Sequence, residues 1–335
     1  MAEIIATTTE KPKRNVCHVK MTNIAYAPDF LVKCINKYGT RYNAFLIGPD
    51  GLGADETWGP RPTETLVDPD VPVTYLSGIL NFEQLDKVDY TKYHIVHYHN
   101  KHSNVFNGPK LIQYHSEGYI TYLDFPGYRT VISQFQALLP EYKGCGIVKN
   151  IIDLYSDPYD KPYYPEKIRI GFSPSILKSL NGSHADKGAP RTLEILNKLK
   201  QRYPEIEIDI ITKQTIPNCM NRKNKCNILI DECVTSSYHR SGLEALALGK
   251  VTICSVSNEV SDLMKKVTGS PKVPFENIWI AQLEKGLEEL ICQGAGAINE
   301  MGKENKEWFE KYWNPKDIVR EFEDIYDKII DGSLK

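Results

Sequence analysis

Charge of one sign is the first thing this 335-residue chain lacks: 41 Lys plus Arg stand against 43 Asp plus Glu, a net charge of −2. With no global positive field, a DNA or RNA partner would need a local basic patch. "EKPKR" at 10–14, the basic cluster near the start, reads as a solvated tail. Long apolar runs are missing too. Nowhere do about 18 apolar residues follow one another, so no membrane-spanning helix is expected. The opening "MAEIIATTTEKPKRN" has no apolar stretch of the kind a signal peptide carries. The eight cysteines (17, 34, 145, 219, 226, 233, 254, 292) form no CxxC pair. A chain of this length is no small disulfide scaffold, so buried reduced thiols and a cytoplasmic setting are expected. The sequon "NGS" at 181–183 would matter only in a secreted protein. No low-complexity tract and no repeat of 20 to 50 residues is visible.

What remains is a soluble composition, 41% hydrophobic and 25% charged, over a length that suits two domains. Short runs rich in Val, Ile and Tyr alternate with amphipathic stretches. "VCHVKMT" (16–22) reads as a strand, and "DFLVKCINKYG" as a helix closed by Gly39. "NAFLIG", "VTYL", "HIVHYH", "LIQYH" and "TVISQF" continue the strand series. A second series starts near 165 with "KIRIGFS", helix "APRTLEILNKLKQRY", "IEIDIIT", "CNILID", helix "SGLEALALG" and "VTICSV". Apolar strands spaced by helices predict parallel sheets covered on both faces, here two doubly wound α/β domains. The Pro-, Asp- and Tyr-rich 153–167 reads as the hinge, which puts the first domain at 1–160 and the second at 161–305. Ile318, Phe322, Ile325 and Ile329 recur at helical spacing after Pro315. This final helix, about 306–333 with the aromatic "EWFEKYW", must dock on an apolar surface.

Ligands of open parallel sheets bind beyond the carboxyl ends of the strands, where helix N-termini offer unpaired N–H groups. Three segments of the second half end there. "RIGFSPS" stops at Ser173, "HADKGAPRT" sets Lys187 and Gly188 before a helix, and "SSYHRSG" leads into the helix that carries Glu244. Phosphate calls for fixed positive charge and close backbone approach, which Lys187 and Gly188 supply. His239, Arg240, Ser241 and Gly242 add polar groups beside successive amides. Glu244, expected in the first turn of its helix, has two readings. It accepts both hydroxyls of a ribose, or it caps its own helix at the positive dipole end. Nucleobase selection falls to backbone groups of a loop near "TKQTIPNC" (212–219).

"SGLEALALGKVTICS", "DKGAPRTLEIL" and "IRIGFSPS" together resemble the donor-binding half of family 4 glycosyltransferases, retaining enzymes of the GT-B fold. Motif-level likeness is confined to roughly 165–256, while the order of elements and the returning terminal helix extend it over the chain. The resemblance implies a C-terminal helix that packs back on the first domain. It implies donor contacts from Ser173, Lys187, Gly188, Arg191, His239, Arg240, Ser241, Gly242 and Glu244, with Lys187 and Glu244 counted among the catalytic groups. It further implies transfer of a hexose, with retention and without metal, to a glycan, protein-linked glycan or lipid acceptor. Family frequency favours GDP-mannose slightly over UDP-glucose. The chain departs from the pattern in two places. The first of the family's paired glutamates falls on Ser236, with Glu232 out of register, and an arginine near the first strand of this domain is missing; Arg191 or Arg240 would have to replace it.

Four of the eight histidines lie in "YHIVHYHNKH" (94, 97, 99, 102). On a strand, His97 and His99 share one face and His94 takes the other. They read either as hydrogen-bonded groups at the polar end of a buried strand or as a pair that could bind a transition metal; no acidic or thiol ligand is close in sequence. His115 ends "KLIQYH" and should emerge at the carboxyl edge, facing the other domain. In the resembled family a histidine so placed lies at the reaction centre, which makes His115 catalytic and acceptor-side together with Asn23 and Tyr26 of the first loop. Three rivals stand beside a transferase: a sugar-nucleotide epimerase on the same scaffold, a degenerate protein that only binds nucleotide or glycan, and transfer to modified DNA bases.

Overall fold

β-Branched and aromatic runs that are buried on both faces make the strands, and their helical crossovers force them parallel. The computed structural model describes residues 12–20, 27–49, 73–76, 85, 87–116, 122–175, 177 and 187–334. In the first half, β1 (Arg14–Lys20), β2 (Tyr42–Pro49), β3 (Val73–Leu76), β4 (Ile95–His99), β5 (Lys110–Tyr114), β6 (Tyr128–Ile132) and β7 (Gly146–Val148) form one seven-stranded sheet in the order β3-β2-β1-β4-β5-β6-β7. Every pairing in it is parallel. In the second half, β8 (Arg169–Phe172), β9 (Glu207–Ile210), β10 (Ile228–Glu232) and β11 (Val251–Cys254) form a four-stranded parallel sheet in the order β11-β10-β8-β9. Strand order reverses between β1 and β4 in one sheet and between β8 and β10 in the other. Those two switch points are where crevices open.

Among the described residues the helices are α1 (Ala27–Tyr38), α2 (Ala189–Arg202), α3 (Ile216–Asn224), α4 (Arg240–Ala247), α5 (Asn258–Thr268), α6 (Leu283–Tyr312) and α7 (Pro315–Ile330). Helix α1 closes before Gly39, whose N–H donates to the Ile35 carbonyl at 2.7 Å, as the sequence suggested. One expected loop is not a loop. Thr215 caps α3 by accepting from the Asn218 N–H, and Pro217 fits the first turn, so the 212–219 stretch is helical from Ile216 onward.

Helix α6 links the two halves. It is interrupted at Gly294 (φ 80°), a backbone state that favours glycine. Before the break, Leu283, Leu287 and Leu290 pack into the core under the second sheet. After it, Trp308 and Phe309 join a core that holds Leu31 and Ile35 of α1 together with Leu243 and Leu246 of α4. Helix α7 then runs back over the first sheet, as the apolar spacing required. Its Ile318, Phe322 and Tyr326 are at most 1% exposed, each worth about 1.5–3 kcal/mol in burial. Trp313 anchors the return by donating from Nε1 to the Asn150 carbonyl at 2.7 Å. Of the cysteines, 17, 34, 226, 233 and 254 are buried and all eight are free; Cys292 is exposed.

The docking of α7 rests on one buried carboxylate. Glu323, 3% exposed, accepts from the Arg41 N–H at 2.8 Å, the Tyr42 N–H at 3.3 Å and the Arg41 guanidinium at 3.2 Å. Glu323→Ala leaves two backbone donors without a partner and is expected to lower unfolding free energy by about 2–4 kcal/mol in urea titration. A change under 0.5 kcal/mol would mean that water replaces the carboxylate at no cost.

Candidate functional site

The carboxyl rim of the second sheet gathers charged groups from four elements. Strand β10 ends on Asp231 and Glu232, both fully buried. Before α2, Lys187 (φ 49°) and Gly188 (φ 70°) adopt left-handed conformations in succession, which bends the chain sharply into the helix. A Cβ at residue 188 would lie 2.8 Å from Val234 Cγ1, so only glycine fits that approach. The turn delivers the Lys187 ammonium to Asp231 Oδ1 at 2.9 Å, in a pair whose side chains are 8% and 0% exposed. The other oxygen, Oδ2, accepts from the His239 N–H at 2.6 Å, at the start of α4. A Cβ at residue 242 would fall 2.7 Å from that oxygen, which accounts for Gly242. Burial alone would raise the Asp231 carboxyl. The Lys187 ammonium and His239 outweigh it and hold the group well below the usual carboxylate range.

Glu244 lies in the second turn of α4, not the first, because the helix starts at Arg240. Its carboxylate accepts from the side chains of Lys223 (2.7 Å, Oε2) and Arg240 (3.1 Å, Oε1), so the helix-capping reading fails. Lys223, at the end of α3, also donates to Ser241 Oγ at 2.9 Å. Burial opposes ionisation of Glu244, but Lys223 and Arg240 together hold its carboxyl below the ordinary value. Burial also opposes the charge of Lys223, and Glu244 reverses this and raises the ammonium. The rim therefore keeps both charges of the pair. Each oxygen of Glu244 engages one cation and retains a second lone pair, so a diol could still be accepted.

Arg240 joins this rim to the first sheet. Nη1 donates to the Ile151 carbonyl at 3.2 Å, and the guanidinium carbon lies 4.5 Å from the centroid of the Phe30 ring on α1. Its Nη2 is buried with no hydrogen-bond partner among the described residues. Tyr238 reaches across in the same way to Ser133. On the first-sheet side His115 follows β5, 8% exposed, with its N–H donating to Asn100 Oδ1 at 2.7 Å. Burial first, and the nearby Arg240 charge second, push its imidazolium down to about 3, so the ring is neutral.

The structure thus brings together Lys187, Gly188, His239, Arg240, Ser241, Gly242 and Glu244, with His115 near Arg240. Ser173, half-buried at the end of β8, contacts Cys219 Sγ at 3.8 Å. Arg191 is not brought in: its guanidinium lies on the exposed face of α2 and pairs with Glu194 at 2.6 Å. Asn23 and Tyr26 lie outside the described residues. Glu232, out of register in sequence, supports the loop instead. Its Oε2 accepts from the Val234 and Thr235 N–H groups, and its Oε1 from Ser255 Oγ at 2.9 Å. Two groups went unseen in the sequence. Asp231 has a signal, a carboxylate that ends the apolar run "ILID"; Lys223, beyond the 212–219 stretch expected as loop, has none.

Two open parallel sheets face each other through Arg240, and the last helix returns to the first sheet. This is the GT-B fold. No family model matches the chain, and no curated protein sequence does. Among solved structures it resembles a glycosyltransferase from Rickettsia africae at TM-score 0.60 and 14% identity, over 96% of this chain and 99% of that one. It resembles a sucrose-phosphate synthase from Thermosynechococcus elongatus at 0.56 and 14%, covering 96% and 100%. The Anabaena HepE protein, solved with UDP-glucose, follows at 0.58 and 10%, covering 94% and 99%. At such identities the likeness speaks for the fold.

Two outcomes test the electrostatics. Asp231→Asn strands the Lys187 ammonium in a buried site and should cost about 3–5 kcal/mol in urea unfolding; a loss below 1 kcal/mol would show that water reaches the pair. Four buried histidines are held neutral, chiefly by burial: His18 and His115 are pushed down to about 3, and His97 and His99 well below the ordinary value. Unfolded, they bind protons below about pH 6.5. Depressed folded values mean that stability is present above pH 6.5 and lost as pH falls. Unfolding near pH 5 should take up about four protons, a slope near 5 kcal/mol per pH unit. Calorimetry that finds fewer than two would place water among the rings.

Proposed function

We propose that the protein is a glycosyltransferase that moves a hexose from a nucleoside-diphosphate sugar to a hydroxyl of a glycan or glycoconjugate acceptor. The observation that carries this reading is the rim of the second sheet, where Lys187, Lys223 and Arg240 converge at helix ends with Glu244 between them. Three cations stand against Asp231 and Glu244 there, while the third carboxylate, Glu232, is taken up by the N–H groups of its own loop. The unpartnered Nη2 of Arg240 adds a donor at the junction of the two halves. A diphosphate matches such a site, and the remaining lone pairs of Glu244 suit the ribose diol. The division into a donor half, 161–305, and an acceptor half, 1–160 with the returning helix, is part of the proposal.

Cleavage of the bond between sugar and diphosphate builds negative charge on the leaving phosphate. Lys187, fixed by Asp231, and Arg240 would stabilise that charge without reorganising, which helps the transition state more than the bound donor. The backbone at Gly188 and Ser173 would line the donor, and the Ser241 N–H at the start of α4 would face the same charge, the Gly242 N–H being taken by the His239 carbonyl. His115, neutral, would contact the sugar or the acceptor hydroxyl from the other half. Retention of configuration and independence from metal belong to the proposal through the family resemblance alone. The UDP-glucose bound by HepE makes a uridine donor the first to try, ahead of the GDP-mannose that family frequency favours.

A second reading is a protein that binds a nucleotide or glycan and does not turn it over. Ser236, where the family has its first glutamate, and the neutralisation of Lys187 by Asp231 favour it.

Calorimetric titration with UDP, GDP and ADP, followed by assay of donor hydrolysis and transfer, separates the readings. Binding of one nucleotide in the micromolar range with turnover is the expected result. Binding alone selects the second reading, and no binding at millimolar nucleotide removes the transferase and leaves of the second reading only a glycan binder. Lys187→Ala should lower turnover about 10²-fold while weakening donor binding far less. Glu244→Gln should chiefly weaken nucleotide binding.

A further inference from the structure

Four imidazoles at the switch point of the first sheet form a connected group that donor binding does not explain. His18 on β1 pairs in register with His97 on β4, and Lys20 with His99, so these side chains share one face. Tyr326 of α7 covers that face. His115 Nε2 lies 2.9 Å from His99 Nδ1, and His99 Nε2 lies 3.1 Å from His18 Nδ1. His18 Nε2 lies 3.4 Å from the Tyr326 hydroxyl, which lies 2.9 Å from His97 Nδ1. Five side chains are thus joined end to end, from the centre of the sheet to its carboxyl edge.

A neutral imidazole has one donor nitrogen and one acceptor nitrogen, and a phenol donates one hydrogen. The chain therefore has only two self-consistent states: every ring carries its proton on Nε2, or every ring carries it on Nδ1. The far end decides between them. His97 Nε2 and Gln113 Oε1 are both buried without a hydrogen-bond partner among the described residues, and Gln113, the register partner of His99, lies on the face that His97 and His99 share. An N–H on His97 Nε2 can serve that oxygen; a bare nitrogen cannot.

We propose that Tyr326, His18 and His99 are positioning residues that lock His115 in its Nε2–H tautomer. Nδ1 of His115 is then a lone-pair acceptor, available to a substrate hydroxyl. The substrate part rests on the function proposed above; the tautomer part does not. The alternative use of the cluster is a metal site, because one nitrogen from each of His18, His97 and His99 lies within 4.8 Å of the other two. The relay is favoured on two counts. The ring nitrogens already pair with one another at hydrogen-bond distance, and the ammonium-bearing Lys20, itself paired with Asp29, is the register neighbour of His99.

The test is long-range 1H–15N correlation on the full chain labelled with 15N-histidine, with His115 assigned through His115→Gln. The wild type should show His115 as a single Nε2–H tautomer. Tyr326→Phe, which keeps the ring and removes the link, should turn His115 into a mixture of tautomers; Gln113→Leu, at the far end, should do the same should the first variant fail to fold. In the transfer assay Tyr326→Phe should lower kcat about tenfold and leave KM within twofold. An Nδ1–H tautomer in the wild type, an unchanged tautomer in both variants, or one equivalent of zinc retained through dialysis would overturn the relay. A locked tautomer in a chain that turns over no nucleotide sugar would leave the relay standing and remove the function.

Discussion

The buried Asp231 carboxylate organises the second half of the molecule. It takes the Lys187 ammonium on one oxygen and the first amide of the α4 turn on the other, and it leaves no room for a side chain at residue 242. Two helix starts are thereby set against one strand end. An ion pair of this kind adds little net stability, because removing both charges from water offsets their attraction. What it provides is geometry. A lysine on a long flexible stem becomes a fixed charge once its partner is fully enclosed, and fixed charge is what stabilises a developing anion.

The fold was largely legible because its signal is redundant. Each strand of the parallel sheets is an apolar run, each crossover carries helical spacing, and Gly39 and Pro315 mark helix ends by mechanisms that hold in isolation. The amphipathic face of α7 was visible in Ile318, Phe322 and Ile329. Its destination followed from the need to bury that face, but its anchors did not. Glu323 reads as an ordinary surface charge in sequence and becomes a buried acceptor only because Arg41 and Tyr42 present N–H groups to it.

The site was legible where residues combine charge with a turn, as in Lys187-Gly188 and the stretch from His239 to Glu244. It was illegible where the arrangement depends on pairing across distant segments. Lys223 and Glu244 are 21 residues apart, and Lys187 and Asp231 are 44 apart. No local pattern announces such a pair. Arg191 shows the converse: it stands in the right segment, but helical geometry turns it toward Glu194 and away from the rim. Glu232 shows a third case, in which a carboxylate near the site holds its own loop together.

The two halves solve the same problem in opposite ways. Polar groups at a switch point are buried by the strands around them, and a buried polar group must be paired or made neutral. The second sheet pairs charges: Lys187 with Asp231, and Lys223 and Arg240 with Glu244. The first sheet removes charge, holding its imidazoles neutral and satisfying them with one another and with Tyr326. Each arrangement protects the other. A protonated ring at His115 would repel Arg240, and Arg240 in turn helps to keep that ring neutral. The junction between the halves is thus a cation beside a lone pair, which favours a ligand that carries an anion at one end and a hydroxyl at the other.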